Sequence, residues 1–463
     1  MGFINRTVEL DRLQRLWDSG TAQLAVVYGK RRVGKTELIR QFLLKNSGIY
    51  YLADKRTHHE QLLEFGRVVG DFFDDLIVRQ NGFIDWLQAF QYLEQRSHDR
   101  QFIVAIDEYP YLVESARETS SLFQKGWDQY LKQSRVCLIL CGSSIAMMES
   151  EMSSRAPLYG RMTARFLVEP MDVYSSQDFF PKRQFADFLT YYAITGGMPA
   201  YLQAFSGFEN VEEAATALCL DKNGLYANEV NMMLRQELRT PNTYFAILKA
   251  IAGGKTRISE IANDGGFTVT LVSKYLRTLE GLQFVEREVP VTEDKPHKSK
   301  KGIFVLRENF VRFWFQYIYA FSSDLAIGNF RQVQKKFRAE SHFLESIAYE
   351  QISRRTMWDL SDRLFSFEKA GRYWDSDIEI DGVGYNAHER KIAFMEAKWS
   401  DKKMGPTILN KLRMKAARVA WMRDKREEYF VLFSKAGFES ELVSIASEDP
   451  HVVLVQQVTV MGR

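Results

Sequence analysis

The sequence predicts an α/β protein built around a parallel sheet, and three observations carry that expectation. Short β-type runs alternate with helix patterns from the start of the chain to about residue 180. The apolar run Leu24–Tyr28 leads into Gly29-Lys30-Arg31-Arg32-Val33-Gly34-Lys35-Thr36, and a helix pattern follows at once. A later apolar run, Phe102–Ile106, ends in Asp107-Glu108. The expected strands are Leu24–Tyr28, Ile49–Leu52, Phe102–Ile106, Val136–Leu140 and Phe166–Val168. A helix is expected over 36–45, with Leu38, Ile39, Phe42 and Leu43 at helical spacing.

The Gly-x-x-x-x-Gly-Lys-Thr stretch is built for phosphate. Gly29 and Gly34 permit a tight path with the backbone N–H groups turned inward, and the new helix aims its positive end at the anion. The segment from Gly29 through Lys30, Arg31, Arg32, Val33 and Gly34 to Glu37 is therefore expected to line a nucleotide. Lys35 reaches the β- and γ-phosphates, and the Thr36 hydroxyl ligates Mg²⁺. At the end of the third run, Asp107 is expected to hold the Mg²⁺ through water, and Glu108 to polarise an attacking water. The fourth run ends Cys141-Gly142-Ser143-Ser144. Ser143, with Ser144 close behind, is the candidate for reading the γ-phosphate or orienting the water.

Length and composition set bounds. The 463 residues suggest two to four domains, and 46% apolar content is enough for real cores. A net charge of +3 rules out a general polycation, so any nucleic-acid surface must be a local patch. The three cysteines, Cys137, Cys141 and Cys219, form no C-x-x-C pair, which argues against a disulfide framework or a zinc site. Arg6 stands where a myristoylation signal needs Ser or Thr. No signal peptide or membrane span is expected, and a cytoplasmic location is.

Beyond residue 180, helix patterns fill Phe185–Phe205 and Asn210–Leu238, and an apolar helix from Tyr244 stops at Gly253-Gly254. A short helix, a Gly-containing turn and a helix opening at Thr268 follow, which is the layout of a helix-turn-helix. Lys274 and Arg277 project from its second helix as candidate DNA contacts. Phe284–Val291 and Ile303–Leu306 read as a hairpin whose loop carries Lys298, Lys300 and Lys301, suited to phosphate contacts.

The last 130 or so residues change character. A helix over Phe343–Ile352 carries Glu345 and Glu350. Asp381 begins one short strand, and Glu396-Ala397-Lys398 lies on another. Period two puts Glu396 and Lys398 on one face. In a hairpin, Asp381 and Glu396 share a divalent cation while Lys398 lowers the pKa of a water or steadies the phosphorane. Glu379 lies on the same face as Asp381, and its role is open.

Two resemblances follow from these residues. The segments Phe3-Ile4-Asn5-Arg6, the phosphate loop, Ile106-Asp107-Glu108-Tyr109, Cys141-Gly142-Ser143-Ser144, Pro157-Leu158-Tyr159-Gly160-Arg161 and Gly196-Gly197-Met198-Pro199 occur in one order. Together they resemble the archaeal-type ATPases of the STAND branch, relatives of AAA+ proteins, over roughly residues 1–330. The resemblance implies a five-stranded core ordered 5-1-4-3-2 (1–180), a helical lid (181–240) and a winged helix (241–330). It implies that Arg161 senses the γ-phosphate, that Asn5 and Arg6 lie near the adenine, and that Pro199 approaches the nucleotide from the lid. Residues 331–463 resemble the PD-(D/E)xK nuclease superfamily. That resemblance implies Asp381, Glu396 and Lys398 as the site, with Glu345 as the helical acidic partner.

The expected protein is thus an ATP-binding and ATP-hydrolysing switch that acts on DNA. It would use Mg²⁺, with Mn²⁺ as an alternative at the C-terminal site. ATP/ADP and DNA are the expected partners, and a homo-oligomer is allowed by the AAA+ kinship. The alternative is a STAND-type signalling scaffold whose C-terminal domain is an inactive binding platform.

Overall fold

The computed structural model describes residues 3–238 and 240–460, which form two compact units. The first holds residues 3–175 with 198–201 and 235–238. The second holds residues 176–197, 202–234 and 240–460.

The first unit is built on five parallel strands: β1 Gln23–Tyr28, β2 Gly48–Leu52, β3 Phe102–Asp107, β4 Val136–Gly142 and β5 Ala164–Leu167. Their spatial order is β2-β3-β4-β1-β5, the 5-1-4-3-2 order that the resemblance implies. Every residue of β3 and β4 is buried, as apolar runs covered on both faces should be. One face packs Leu24, Val26, Ile49, Phe102 and Val104 against Phe65, Trp86 and Phe90.

Register decides what this sheet can do. Tyr28 pairs with Gly142, and Ile106 pairs with Leu140. The carboxyl ends of β1, β3 and β4 therefore finish side by side, where an open α/β sheet presents its ligands. Gly29 leaves β1 with φ 151°, and a Cβ there would collide with the Val168 carbonyl oxygen. Only glycine fits that close approach. Gly34 caps the helix Lys35–Lys45 in the left-handed region, at φ 94°.

Two long helix patterns are interrupted. The first breaks into Phe185–Thr195 and Pro199–Phe205 because Gly196 turns left-handed (φ 56°) and Pro199 cannot continue a helix from within. The second runs as Val211–Ala215, a π-helical turn Thr216–Leu220 and Glu229–Glu237.

Within the second unit, helices Asn242–Ala252, Ile258–Gly265 and Val269–Gly281 precede an antiparallel hairpin, β6 Val285–Glu288 and β7 Ile303–Leu306. That is the arrangement of a winged helix. A 26-residue helix, Arg331–Thr356, then leads to a mixed sheet. Its strands are β8 Lys369–Trp374, β9 Glu379–Asn386, β10 Lys391–Lys398, β11 Glu427–Ser434, β12 Val452–Gln456 and β13 Thr459–Val460, in sequential spatial order. β8, β9 and β10 are antiparallel, while β10, β11 and β12 run parallel. Helices Pro406–Ala416 and Ser440–Glu448 make the two parallel crossovers. The segment after β6 covers the edge of β8: Val291 N–H donates to the Arg372 carbonyl at 2.9 Å, and Trp374 Nε1 donates to the Lys301 carbonyl at 3.1 Å.

Among the described residues no helix is long and apolar enough to cross a membrane. The three cysteines are buried free thiols, two of them on β4.

The Gly29 packing gives a direct prediction. Gly29→Ala should lose about 1–3 kcal/mol through overpacking against Val168, read as a lower urea midpoint with unchanged slope.

Candidate functional site

The loop from Gly29 to Thr36 closes on its own lysine. Lys35 is buried, and its Nζ donates to the Gly29 and Lys30 carbonyls, both at 2.9 Å. Burial pulls this ammonium below its ordinary pKa range, while the negative charges of Glu108, Asp107 and Glu237 work to raise it. Three acidic groups thus act on one buried cation in the loop.

Asp107 is the hub. It is 1% exposed, and its carboxylate accepts from Thr36 Oγ1 at 2.7 Å, Tyr50 OH at 2.8 Å and the Glu108 N–H at 3.0 Å. A buried carboxylate needs such donors. Burial, then Asp107, push the Tyr50 phenol well above its ordinary pKa, so it remains a donor. Glu108 adopts a left-handed conformation (φ 55°) at the start of the helix Tyr109–Ser115. Its Oε1 accepts from Ser143 Oγ at 2.7 Å. The structure therefore joins Lys35, Thr36, Asp107, Glu108 and Ser143 in one cluster at the carboxyl edge of the sheet. Ser144 instead caps the helix Ile145–Glu151 by accepting from Met147 N–H.

The loop is held from outside as well. Arg6 is 7% exposed and donates to the Val33 carbonyl at 3.0 Å and to the Glu169 carbonyl at 2.7 Å. Asn5 Nδ2 donates to Ser175 Oγ. Arg6 thus braces the far side of the phosphate loop. Pro199 lies over its end, with its Cγ 3.9 Å from where a Cβ on Gly34 would stand. Arg31 and Glu37 are exposed, and Lys30 and Val33 are buried.

Two placements differ from the sequence reading. Arg161 lies outside the cluster. Thr163 N–H donates to the Leu24 carbonyl and Ala164 pairs with Ala25, so the segment before β5 sits at the amino edge of the sheet. There Arg161 forms a forked pair with Asp128, at 2.7 and 2.9 Å. The second difference is Glu237, which sequence reasoning missed. Its carboxylate accepts from Ser144 Oγ and from the N–H groups of Ile145 and Ala146, at 3.1–3.2 Å. Burial raises its pKa, and those hydrogen bonds together with Lys30 oppose the rise. No local signal marks it, because its partners lie more than ninety residues earlier.

The residues fit a nucleoside triphosphate. The cradle admits no Cβ at Gly29, its lysine is buried and turned onto the loop, and the Thr36–Asp107 pair presents two oxygens suited to Mg²⁺.

A second cluster lies in the mixed sheet. The β9–β10 ladder pairs Gly382 with Met395, and Asp381 and Glu396 sit one residue beyond that pair. Asp381 Oδ2 accepts from the Ala397 N–H at 2.9 Å and lies 4.0 Å from Lys398 Nζ. Glu396 meets Lys398 at 2.6 Å and Lys415 at 2.9 Å. Burial, then Glu396, raise the Asp381 carboxyl. Burial also works to raise Glu396, but Lys398 and Lys415 outweigh it and hold it below its ordinary range.

The helical acid facing this cluster is Glu350. Burial, and then the charge of Asp381, push it up to about 7. Glu345 instead accepts from Trp399 Nε1 at 2.8 Å. Glu379 pairs with Arg372. Among the described residues no three His, Cys, Asp or Glu side chains converge as a metal cage.

Of the candidate DNA contacts, Lys274, Arg277, Lys298 and Lys300 are exposed. Lys301 is held by Glu293 at 2.6 Å.

Comparison with known proteins places the first unit. Residues 3–205 match the model of an ATPase domain found predominantly in Archaea. An uncharacterized protein of Methanocaldococcus jannaschii is 31% identical over 407 residues, 87% of this chain and 88% of that one. The chain belongs to this archaeal ATPase family. An uncharacterized ATP-binding protein of the same organism is 54% identical to this archaeal ATPase over 41 residues, 9% of the chain and 70% of that protein. Residues 314–412 match a family of archaeal and bacterial proteins of unknown function. Among solved structures, the Walker-type ATPase of Pyrococcus abyssi aligns with a TM-score of 0.53 at 21% identity, over 68% of this chain and 96% of that one. That likeness is one of fold.

Arg6→Ala removes two charge-assisted hydrogen bonds, one to the buried Val33 carbonyl and one to the Glu169 carbonyl. It should cost about 3 kcal/mol in chemical unfolding, whereas Arg15→Ala, exposed on the helix Thr7–Asp18 that Arg6 precedes, should stay within about 0.5 kcal/mol.

Proposed function

We propose that this archaeal ATPase is an ATP-hydrolysing switch that acts on DNA through its winged helix and its C-terminal sheet. The observation that carries the reading is the chain of contacts Thr36–Asp107–Glu108–Ser143, with Lys35 beside it. Bound ATP with Mg²⁺ supplies the phosphoryl group and its counter-charge. Lys35 exchanges the Gly29 and Lys30 carbonyls for phosphate oxygens. Thr36 and Asp107 orient the metal side of the site. Glu108 accepts a proton from the attacking water, and Ser143 fixes the carboxylate that does so. Arg161 stands at the other edge of a strand roughly 20 Å long, so it serves a γ-phosphate only across a contact between two copies. Glu237 holds the start of the helix Ile145–Glu151 just beyond β4.

The test is ATP turnover and equilibrium binding. Lys35→Ala should lose nucleotide binding at the loop. Glu108→Gln should bind with affinity within about threefold of wild type yet turn over at least a hundredfold more slowly, since it removes only the base. Equal rates in all three proteins would end the reading.

For the C-terminal sheet we favour a PD-(D/E)xK-like nuclease. The support is the succession of helix, three antiparallel strands, helix and parallel strand, with Asp381, Glu396 and Lys398 converging at the β9–β10 end. Asp381 and Glu396 would hold Mg²⁺ or Mn²⁺, with Glu350 in place of Glu345 as the helical acid. Lys398 would stabilise charge on the reacting phosphate. One observation favours the rival, a STAND-type scaffold with an inactive platform: two lysines already neutralise Glu396. Nicking of branched or linear DNA with Mg²⁺ or Mn²⁺ should vanish in Asp381→Ala and Lys398→Ala. Absence of cleavage in wild type under both metals selects the scaffold.

A further inference from the structure

Inside the second unit, a cavity of about 510 Å³ opens between the hairpin β6–β7 and the helix Arg331–Thr356. None of its walls belongs to the phosphate loop. A volume in this range suits a small organic ligand. Along the helix, Phe343, Ile347, Glu350 and Arg354 recur at intervals of four, three and four residues and line one wall. That stripe spans about 16 Å at 1.5 Å per residue.

The stripe has two different ends. At one end, Arg354, Arg372 and Arg312 line the wall around Glu288. Arg312 and Arg354 have hydrogen-bonding capacity to spare. Arg312 reaches the Asn309 side chain and the Leu306 carbonyl only at 3.5 Å, the outer limit of a hydrogen bond. Arg354 donates through Nη1 to the Asp381 carbonyl at 3.1 Å. Arg372 pairs with Glu288 and Glu379, but its buried Nε has no partner. Burial pulls Arg312 down to about 10, and Glu288 works to raise it. At the other end stands Phe343, 59% exposed as a residue, with the His342 ring 4.1 Å from its own between centroids.

We propose that this cavity binds a nucleotide, with its phosphates on Arg354, Arg372 and Arg312 and its ring against Phe343. Guanidinium forks match phosphate oxygens in pairs, and an exposed aromatic face suits a base. The walls also decide against a DNA backbone. Glu288, Glu340 and Glu350 line the same cavity. A continuous phosphodiester chain would run past all three carboxylates, whereas a compact ligand brings its phosphates only to the arginine end, where Glu288 is already paired with Arg372, and offers ribose hydroxyls toward Glu340. The site joins the hairpin to the C-terminal sheet through Arg372, so its ligand would tie the two together. It is separate from the ATPase reading.

The experiment is calorimetric titration of the full chain carrying Lys35→Ala, which silences the phosphate loop. The probes are ATP, AMP, inorganic pyrophosphate and a short DNA single strand. One residual site for ATP and AMP is expected. Adding Arg354→Gln should weaken it at least tenfold for ATP and for pyrophosphate. Adding Phe343→Ala, a change at an exposed position that leaves folding intact, should weaken ATP and AMP several-fold while sparing pyrophosphate. Unchanged thermal unfolding certifies each variant, and Phe343→Ala alone decides if Arg354→Gln does not fold. No residual binding of ATP, AMP or pyrophosphate overturns the proposal. So does residual binding indifferent to both substitutions, and so does a cavity that takes the DNA strand but not ATP.

Discussion

The Asp107 carboxylate is the fixed point of the first unit. A charge with 1% exposure survives only if donors surround it, and three come from different parts of the chain: Thr36 after β1, Tyr50 on β2 and the backbone of Glu108 after β3. Those donors converge only if the parallel strands finish together. Sheet register, loop path and nucleotide chemistry are therefore one constraint. The Gly29 contact with Val168 belongs to it too, because it lets the chain leave β1 close under the β5 connection.

The second unit shows a different economy of charge. Its acids and bases are mostly paired across elements: Glu396 with two lysines, Arg372 with Glu288 and Glu379, Lys301 with Glu293. These pairs tie the hairpin to β8 and close the β9–β10 end. Arg354 reaches the Asp381 carbonyl, and Arg372 reaches Glu288 on the hairpin.

Much of the first unit was legible in the sequence because its signals are local. An apolar run before Gly29, a Gly-Lys-Thr and an Asp-Glu each declare their place without knowledge of partners. The five strands fall within two residues of their expected bounds. What the sequence withheld depends on packing. Glu345 and Glu350 differ by about 140° around the helix, and only the sheet beneath decides which one faces Asp381. Arg161 follows a plausible motif but precedes β5, so register sends it to the amino edge. Glu237 is an ordinary helical glutamate until residues 235–238 join the first unit. The break at Gly196 was within reach, since a Gly-Gly pair stands just before Pro199.

The central claim is that ATP seats in the Gly29–Thr36 cradle and draws Lys35 off its own carbonyls. Hydrogen–deuterium exchange of the full chain, with and without a slowly hydrolysed ATP analogue and Mg²⁺, tests it most directly. The account predicts strong protection of the amides from Lys30 to Glu37, accompanied by the tips of β3 and β4 at Glu108 and Ser143. Exchange in those three segments that is identical with and without the analogue at saturating concentration would contradict it.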